Sequence, residues 1–219
     1  MIIYTYDKGH YLTLEESLKR QSQGLRSVYI NLTNRCTCSC VFCLRGLKKM
    51  DKSMTLWLKE EPALADVRQI LADAPWDVIG EVVFCGFGEP TMRLADVVEL
   101  LTYIKQYHPQ VKTRMNTNGL SDLEYGRDTS KDFANNILDT VSISLNASNA
   151  QRYYDLTRSK FGIQSFDAML AYADHCKQYV PNVVMTVVDQ VENQEEIAAC
   201  RVLCQKRGLT LRVRAYESN

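Results

Sequence analysis

Asn34-Arg35-Cys36-Thr37-Cys38-Ser39-Cys40-Val41-Phe42-Cys43-Leu44-Arg45 sets four thiols within eight positions, directly after the strand-like run Val28 to Thr33. Thiols packed that closely are reactive nucleophiles and metal ligands rather than ordinary core side chains. Two ligand sets can be drawn from them. Cys36, Cys40 and Cys43, spaced Cys-x3-Cys-x2-Cys, would put three thiolates on an iron–sulfur cluster that wants four, leaving one iron open. All four thiols would close a tetrahedral zinc or iron site, but the alternating Cys36, Cys38 and Cys40 would then have to converge within one turn of chain. Structural zinc sites use two separated pairs. The spacing favours the three-plus-open set, with Cys38 a small loop side chain.

The elements on either side of this stretch decide the fold. Before it, residues 2–6 and 10–13 read as a hairpin around Asp7-Lys8-Gly9, followed by a short helix and loop from Leu14 to Arg26. Val28 to Thr33 is the first of six strands, joined by Glu81 to Cys85, Val111 to Asn116, Thr140 to Asn146, Val183 to Asp189 and Thr210 to Arg214. Helical patterns lie between them, at Leu56 to Leu71, Leu94 to Tyr107, from about Ser130, from about Asn149, Phe166 to Tyr179 and Asn193 to Arg207. Strands separated by helical crossovers pair in parallel. The expected fold is therefore α/β, an open, partial β/α barrel of six parallel strands with outer helices over residues 28–219 and a short appendage over 1–27.

A parallel sheet covered on both faces should read as continuous apolar runs, yet several of these strands alternate. With Val141, Ile143 and Leu145 against the helices, Ser142, Ser144 and Asn146 turn inward, and so do Arg114, Asn116, Thr186, Arg212 and Arg214, with Asn31 and Thr33 on the first strand. Buried polar groups need partners, so a polar lumen implies a ligand or water. For Arg212 and Arg214 on the last strand, an edge showing its charges to solvent is the other reading. The cysteine loop, Gly88-Glu89-Pro90, Thr117-Asn118-Gly119 and Ser144-Leu145-Asn146 all fall at the carboxyl ends of their strands, where ligands of such barrels sit.

Composition narrows the classes. The 219 residues suit one domain, the apolar and charged fractions of 46% and 24% are those of a globular protein, and 26 Lys+Arg balance 26 Asp+Glu. Net charge gives no reason to expect nucleic acid or an anionic membrane as partner, and no apolar run approaches the ~18 residues that span a bilayer. A secretory signal is not seen at the start, and half of the eight cysteines lie in one motif, so a metal site in the reducing cytoplasm is expected. Cys200 and Cys204, four apart on one helix, read as core, as do Cys85 and Cys176. His10, His108 and His175 form no ligand set. The basic run Leu44 to Ser53 reads as a solvated loop.

Cys-x3-Cys-x2-Cys with Phe42 before the third cysteine resembles the signature of the radical S-adenosylmethionine (SAM) enzymes. Phrases such as Tyr-Ile-Asn-Leu-Thr-Asn-Arg-Cys (29–36), Val-Phe-Cys-Gly-Phe-Gly-Glu-Pro-Thr (83–91) and Val-Ser-Ile-Ser-Leu-Asn-Ala (141–147) are similar to the small TatD-family-associated radical SAM proteins. The resemblance implies a [4Fe-4S] cluster on Cys36, Cys40 and Cys43, with SAM on the open iron cleaved to a 5′-deoxyadenosyl radical. It assigns Gly88, Glu89 and Pro90 to the SAM amine; Phe87 displaces the first glycine of the family's Gly-Gly-Glu-Pro element. Asn116, Ser144 and Asn146 fall at the ribose and carboxylate, Thr117-Asn118-Gly119 next to the ribose, and Phe42 and Val188 beside the adenine. Arg114, Arg212 and Arg214 are left as substrate-side candidates.

The reading is thus a radical SAM enzyme served by an external flavodoxin- or ferredoxin-like electron donor and acting on an unassigned substrate, which an open barrel would let be macromolecular. The rivals are a non-catalytic iron–sulfur or zinc module that moves electrons or holds a partner, and an activating or modifying partner of another protein.

Overall fold

A computed structural model describes residues 1–21, 23–47 and 55–216. In chain order the elements are β1 (Ile3–Asp7), β2 (His10–Leu12), α1 (Leu14–Arg20), β3 (Arg26–Ile30), α2 (Leu44–Leu47), α3 (Leu64–Ala72), β4 (Ile79–Phe84), α4 (Leu94–Tyr107), β5 (Lys112–Thr117), α5 (Ser121–Tyr125), β6 (Thr140–Ser144), α6 (Ala150–Thr157), α7 (Ser165–Cys176), β7 (Asn182–Val188), α8 (Gln194–Lys206) and β8 (Thr210–Arg214). The chain divides into two compact units, Met1–Arg35 with Lys49–Met115, and Cys36–Lys48 with Asn116–Asn219. Lys48, Lys49 and Lys52 of the expected basic run lie outside the described residues.

In the first unit β3, β4 and β5 pair in parallel, with Ser27 opposite Glu81, Ile30 opposite Phe84, and Phe84 opposite Met115. The N-terminal hairpin is tied to them, because β1 pairs antiparallel with both β2 and β3. Its turn puts Lys8 and Gly9 at φ 45° and 90°, the left-handed pair that a two-residue hairpin needs. A capping box of Thr13 and Glu16 starts α1. The α4 face carrying Val97, Leu100, Leu101 and Ile104 is fully buried, as are Val82, Val83 and Phe84 of β4.

The expected helix from Leu56 to Leu71 is shorter, beginning only at Leu64. Pro62 explains part of this, since proline inside a helix costs about 3 kcal/mol. The other part is competition for the backbone. Asn31 Nδ2 donates to Leu56 O at 2.5 Å, Asn34 bonds both Leu58 O (2.7 Å) and Leu58 N (3.0 Å), and Arg93 Nη1 donates to Pro62 O at 2.6 Å. Residues 55–62 are therefore an irregular strap. The expected helix at Ser130 is one 3-10 turn, Ser130–Phe133.

In the second unit β6, β7 and β8 pair in parallel, so that Ser142, Val184 and Thr210 form one layer across the strands and Ser144, Thr186 and Arg212 the next. The other face of β6 meets α7, for a Cβ added at Gly119 would touch Ile143, Met169 and Tyr172 together. Asn149 caps α6 and Asn193 caps α8, each accepting a backbone N–H of the first turn. Strands β3 to β8 are the six expected, alternating with helices in an α/β fold.

Candidate functional site

The cysteine loop belongs to the second unit and is irregular, so other elements must satisfy its backbone. The carboxyl end of α6 does this: Ser39 N donates to Thr157 O and Val41 N to Leu156 O, both at 2.9 Å, while Lys160 N donates to Thr37 O at 2.9 Å. Cys43 N donates to Cys40 O at 3.1 Å and closes the turn that leads into α2. These bonds leave Cys36, Cys40 and Cys43 half-buried, with Cys38 only 4% exposed.

The four thiols are not equivalent. Cys38 is held well above an ordinary thiol pKa because its hydrogen is shared with the sulfurs of Cys36 and Cys40 and because it is buried. Cys40 is lowered, chiefly by accepting that hydrogen bond, and burial raises Cys43. Cys38 is also the most deeply buried of the four, the other three being half-buried. Asn118 Nδ2 donates to Thr37 Oγ1 at 2.8 Å and lies 3.7 Å from Cys38 Sγ and 3.8 Å from Cys36 Sγ. Three half-buried sulfurs beside a withdrawn fourth fit a three-thiolate cluster better than a closed four-sulfur site.

The turn after β4 belongs to the first unit. A Cβ on Gly88 would lie 2.2 Å from Thr33 O and 2.7 Å from Arg35 O, so only glycine admits the chain segment that runs into the cysteine loop. Glu89 N donates to Arg35 O at 2.8 Å. The Glu89 carboxylate is 4% exposed and accepts from Thr91 N (3.1 Å) and Thr91 Oγ1 (2.8 Å), capping the short turn that Pro90 opens. On Gly86 a Cβ would collide with Asn31 Oδ1 at 2.0 Å.

Two residues here escaped the sequence reading. Glu61 on the strap accepts from both Arg35 Nε (2.8 Å) and Arg35 Nη2 (2.9 Å) and from the Thr33 hydroxyl. The Arg35 bonds hold its carboxyl below the usual range. Arg93 reaches Leu32 O at 3.2 Å as well as Pro62 O. The run Asn31-Leu-Thr-Asn-Arg35 is thus clamped just upstream of Cys36. A polar pentapeptide between an apolar strand and a cysteine motif was the available signal.

The remaining candidates divide. Asn146 is 5% exposed with φ 60°, a left-handed conformation that asparagine tolerates, and Leu145 N and Asn146 N both donate to Thr186 O. Ser144, Asn116, Phe42 and Val188 are half-buried. Arg114 is engaged by Glu81 through Nε and Nη2, each at 3.0 Å, and Ser27 Oγ donates to Glu81 as well at 2.9 Å. That fork fixes the orientation of the Arg114 guanidinium. Arg212 turns to the Ser142 face, with Nη2 3.4 Å from Ser142 Oγ, and Arg214 is exposed.

Burial pushes the thiols of Cys176 and Cys200 up to about 12 and that of Cys204 to about 11, the behaviour of inert core cysteines. The histidines, scattered in sequence, are not all isolated in space. His175 Nδ1 lies 3.2 Å from Asp122 Oδ2 and 3.8 Å from Asp128 Oδ1. Those carboxylates already accept from Thr129, Ser130 and Lys131, which spends most of their capacity for a metal.

A family model described as the Radical SAM superfamily matches residues 30–203. GTP 3′,8-cyclase of Corynebacterium glutamicum (strain R) is 30% identical over 198 residues, which are 85% of this chain and 48% of that protein. The chain therefore spans about half the length of that curated relative. Streptococcus suis SuiB bound to precursor peptide SuiA superposes with a TM-score of 0.67 at 20% identity, covering 92% of this chain and 42% of SuiB. SuiB bound to S-adenosylmethionine gives 0.65 at 19% identity, covering 93% and 44%. At those identities the likeness is one of fold.

Proposed function

The chain belongs to the radical SAM superfamily, and from that premise we propose that it is a radical SAM enzyme whose Cys36, Cys40 and Cys43 hold a [4Fe-4S] cluster. When bound, the cluster and SAM supply a one-electron cleavage of the sulfonium that yields a 5′-deoxyadenosyl radical, which takes a hydrogen atom from the substrate. The protein's part is to present three thiolates, keep Cys38 out of the coordination sphere, exclude water and orient the cofactor. The observation that carries the reading is the inequivalence of the four cysteines, three half-buried and Cys38 buried.

Gly88 lets residues 33–35 pass close enough for Glu89 N to bond Arg35 O, and this turn through Pro90 is where the SAM amine is proposed to lie. Asn146, buried and with a left-handed backbone, is proposed with Ser144 and Asn116 for the ribose and carboxylate, and Phe42 and Val188 for the adenine. Functional sites are where such backbone conformations collect. An external one-electron donor of the flavodoxin or ferredoxin class would reduce the cluster. A cytoplasmic location is proposed from the sequence, where half of the eight cysteines lie in one metal-type motif.

The finer affiliation proposed from the sequence phrases is with the small TatD-family-associated members. The relatives suggest two substrate classes for this proposal, a small molecule, as the name GTP 3′,8-cyclase states for one, and a peptide, as in SuiB with SuiA. Anaerobic reconstitution followed by dithionite and SAM tests the proposal. Iron retention with formation of 5′-deoxyadenosine is expected, and a metal-loaded protein that leaves SAM intact would overturn it.

A further inference from the structure

Asn118 lies in the Thr117-Asn118-Gly119 turn after β5, a stretch that the sequence resemblance puts beside a ribose. Within the second unit its side chain does something more specific. Oδ1 accepts from Leu120 N at 3.0 Å, which fixes the amide orientation and turns the NH2 edge toward the cysteine loop. Of the two hydrogens on that edge, one goes to Thr37 Oγ1 at 2.8 Å. The other faces the sulfurs of Cys36 at 3.8 Å and Cys38 at 3.7 Å. Cys36 Sγ also accepts the Cys38 backbone N–H at 3.4 Å.

We propose that Asn118 is a positioning residue for the cluster, donating an N–H to the Cys36 sulfur so that this ligand carries two N–H donors, and thereby raising the cluster's reduction potential. The physical basis is that N–H donors draw electron density from a ligating thiolate and stabilise the more negative, reduced cluster. The same amide holds Cys38 aside through its sulfur and Thr37, which links the tuning of one cysteine to the exclusion of another. This inference rests on the reading that Cys36, Cys40 and Cys43 hold the cluster.

The test is an EPR-monitored redox titration of the anaerobically reconstituted full chain, with iron content measured alongside, for wild type, N118L, N118D and T37V. In N118D a carboxylate can still accept from Leu120 N and from the Thr37 hydroxyl, so the turn and the staple survive while the N–H donor is lost. Both Asn118 variants should keep wild-type iron and titrate at a more negative potential, N118D furthest because it adds a negative charge. T37V should titrate with wild type, since its side chain does not touch sulfur. Asn118 variants with the wild-type potential would overturn the inference, as would a T37V shift as large as theirs, which would mark the contact as a loop staple only. If N118L loses iron, N118D decides: its loss of iron as well, or an unshifted potential, also overturns the inference. Wild type that binds no iron would instead sink the cluster reading itself.

Discussion

The cysteine loop of residues 36–43 and the Cys200/Cys204 pair of α8 are both sulfur-rich, both in the second unit, and chemically opposite. On α8 two thiols share a helix face, are fully buried, and are pushed up by burial to about 12 and 11. In the loop the backbone hydrogen bonds go to α6, three sulfurs stay half-buried, and N–H donors converge on one of them. Proximity of cysteines is thus not what makes a site. A backbone freed from regular structure, partial exposure and donors aimed at sulfur make one.

The largest effect that would break this contrast is on metal binding. Alanine at Cys36, Cys40 or Cys43 should each remove the iron of the reconstituted protein, read by iron analysis and the visible absorption of the cluster. C200A and C204A should retain full iron and lose only about 1–2 kcal/mol of stability each, as core truncations do. Iron loss from an α8 variant equal to that from C40A would erase the distinction.

Next in size is the close approach at Gly88. G88A drives a Cβ to 2.2 Å from Thr33 O, and should cost roughly 3 kcal/mol and impair cluster assembly. G46A meets nothing within 4 Å in α2 and should be neutral or slightly stabilising. Equal melting temperatures for the two variants would show that the residue 33–35 segment does not need its place against Gly88.

The smallest effect is the acid limb of stability set by the strap. Because Arg35 lowers the Glu61 pKa, the folded state gains from this carboxylate fully above the ordinary carboxylate range, and the gain is lost as pH falls through the depressed folded value. With Glu61 one-third exposed and Arg35 about half, the contribution is under about 1 kcal/mol. E61Q should therefore be less stable than wild type at neutral pH and converge with it at the acid end of a urea-melt series. A constant gap across pH would contradict the assignment.

The legible parts of this protein are those written in local pattern. The six strands, the caps at Asn149 and Asn193, and the three-cysteine spacing need only neighbours a few residues away. What escaped depends on side chains meeting across the chain. Glu81 claims Arg114 from 33 positions away, and Glu61 claims Arg35 from 26. Residues 55–62 show an apolar period that looks helical, yet Pro62 and the amides of Asn31 and Asn34 take the backbone elsewhere. Asn118 reads as a turn residue, and only its contacts with Thr37, Cys36 and Cys38, some 80 positions earlier, show what the turn holds.

The most direct measurement is EPR of the dithionite-reduced cluster in wild type and C38A, recorded before and after adding SAM. A cube held by three sulfurs with one iron free predicts a full cluster in both proteins and a signal that changes shape on SAM addition in both. A cluster lost in C38A, or a signal that SAM leaves untouched, would mean that protein atoms fill the fourth corner and that the proposed chemistry does not occur here.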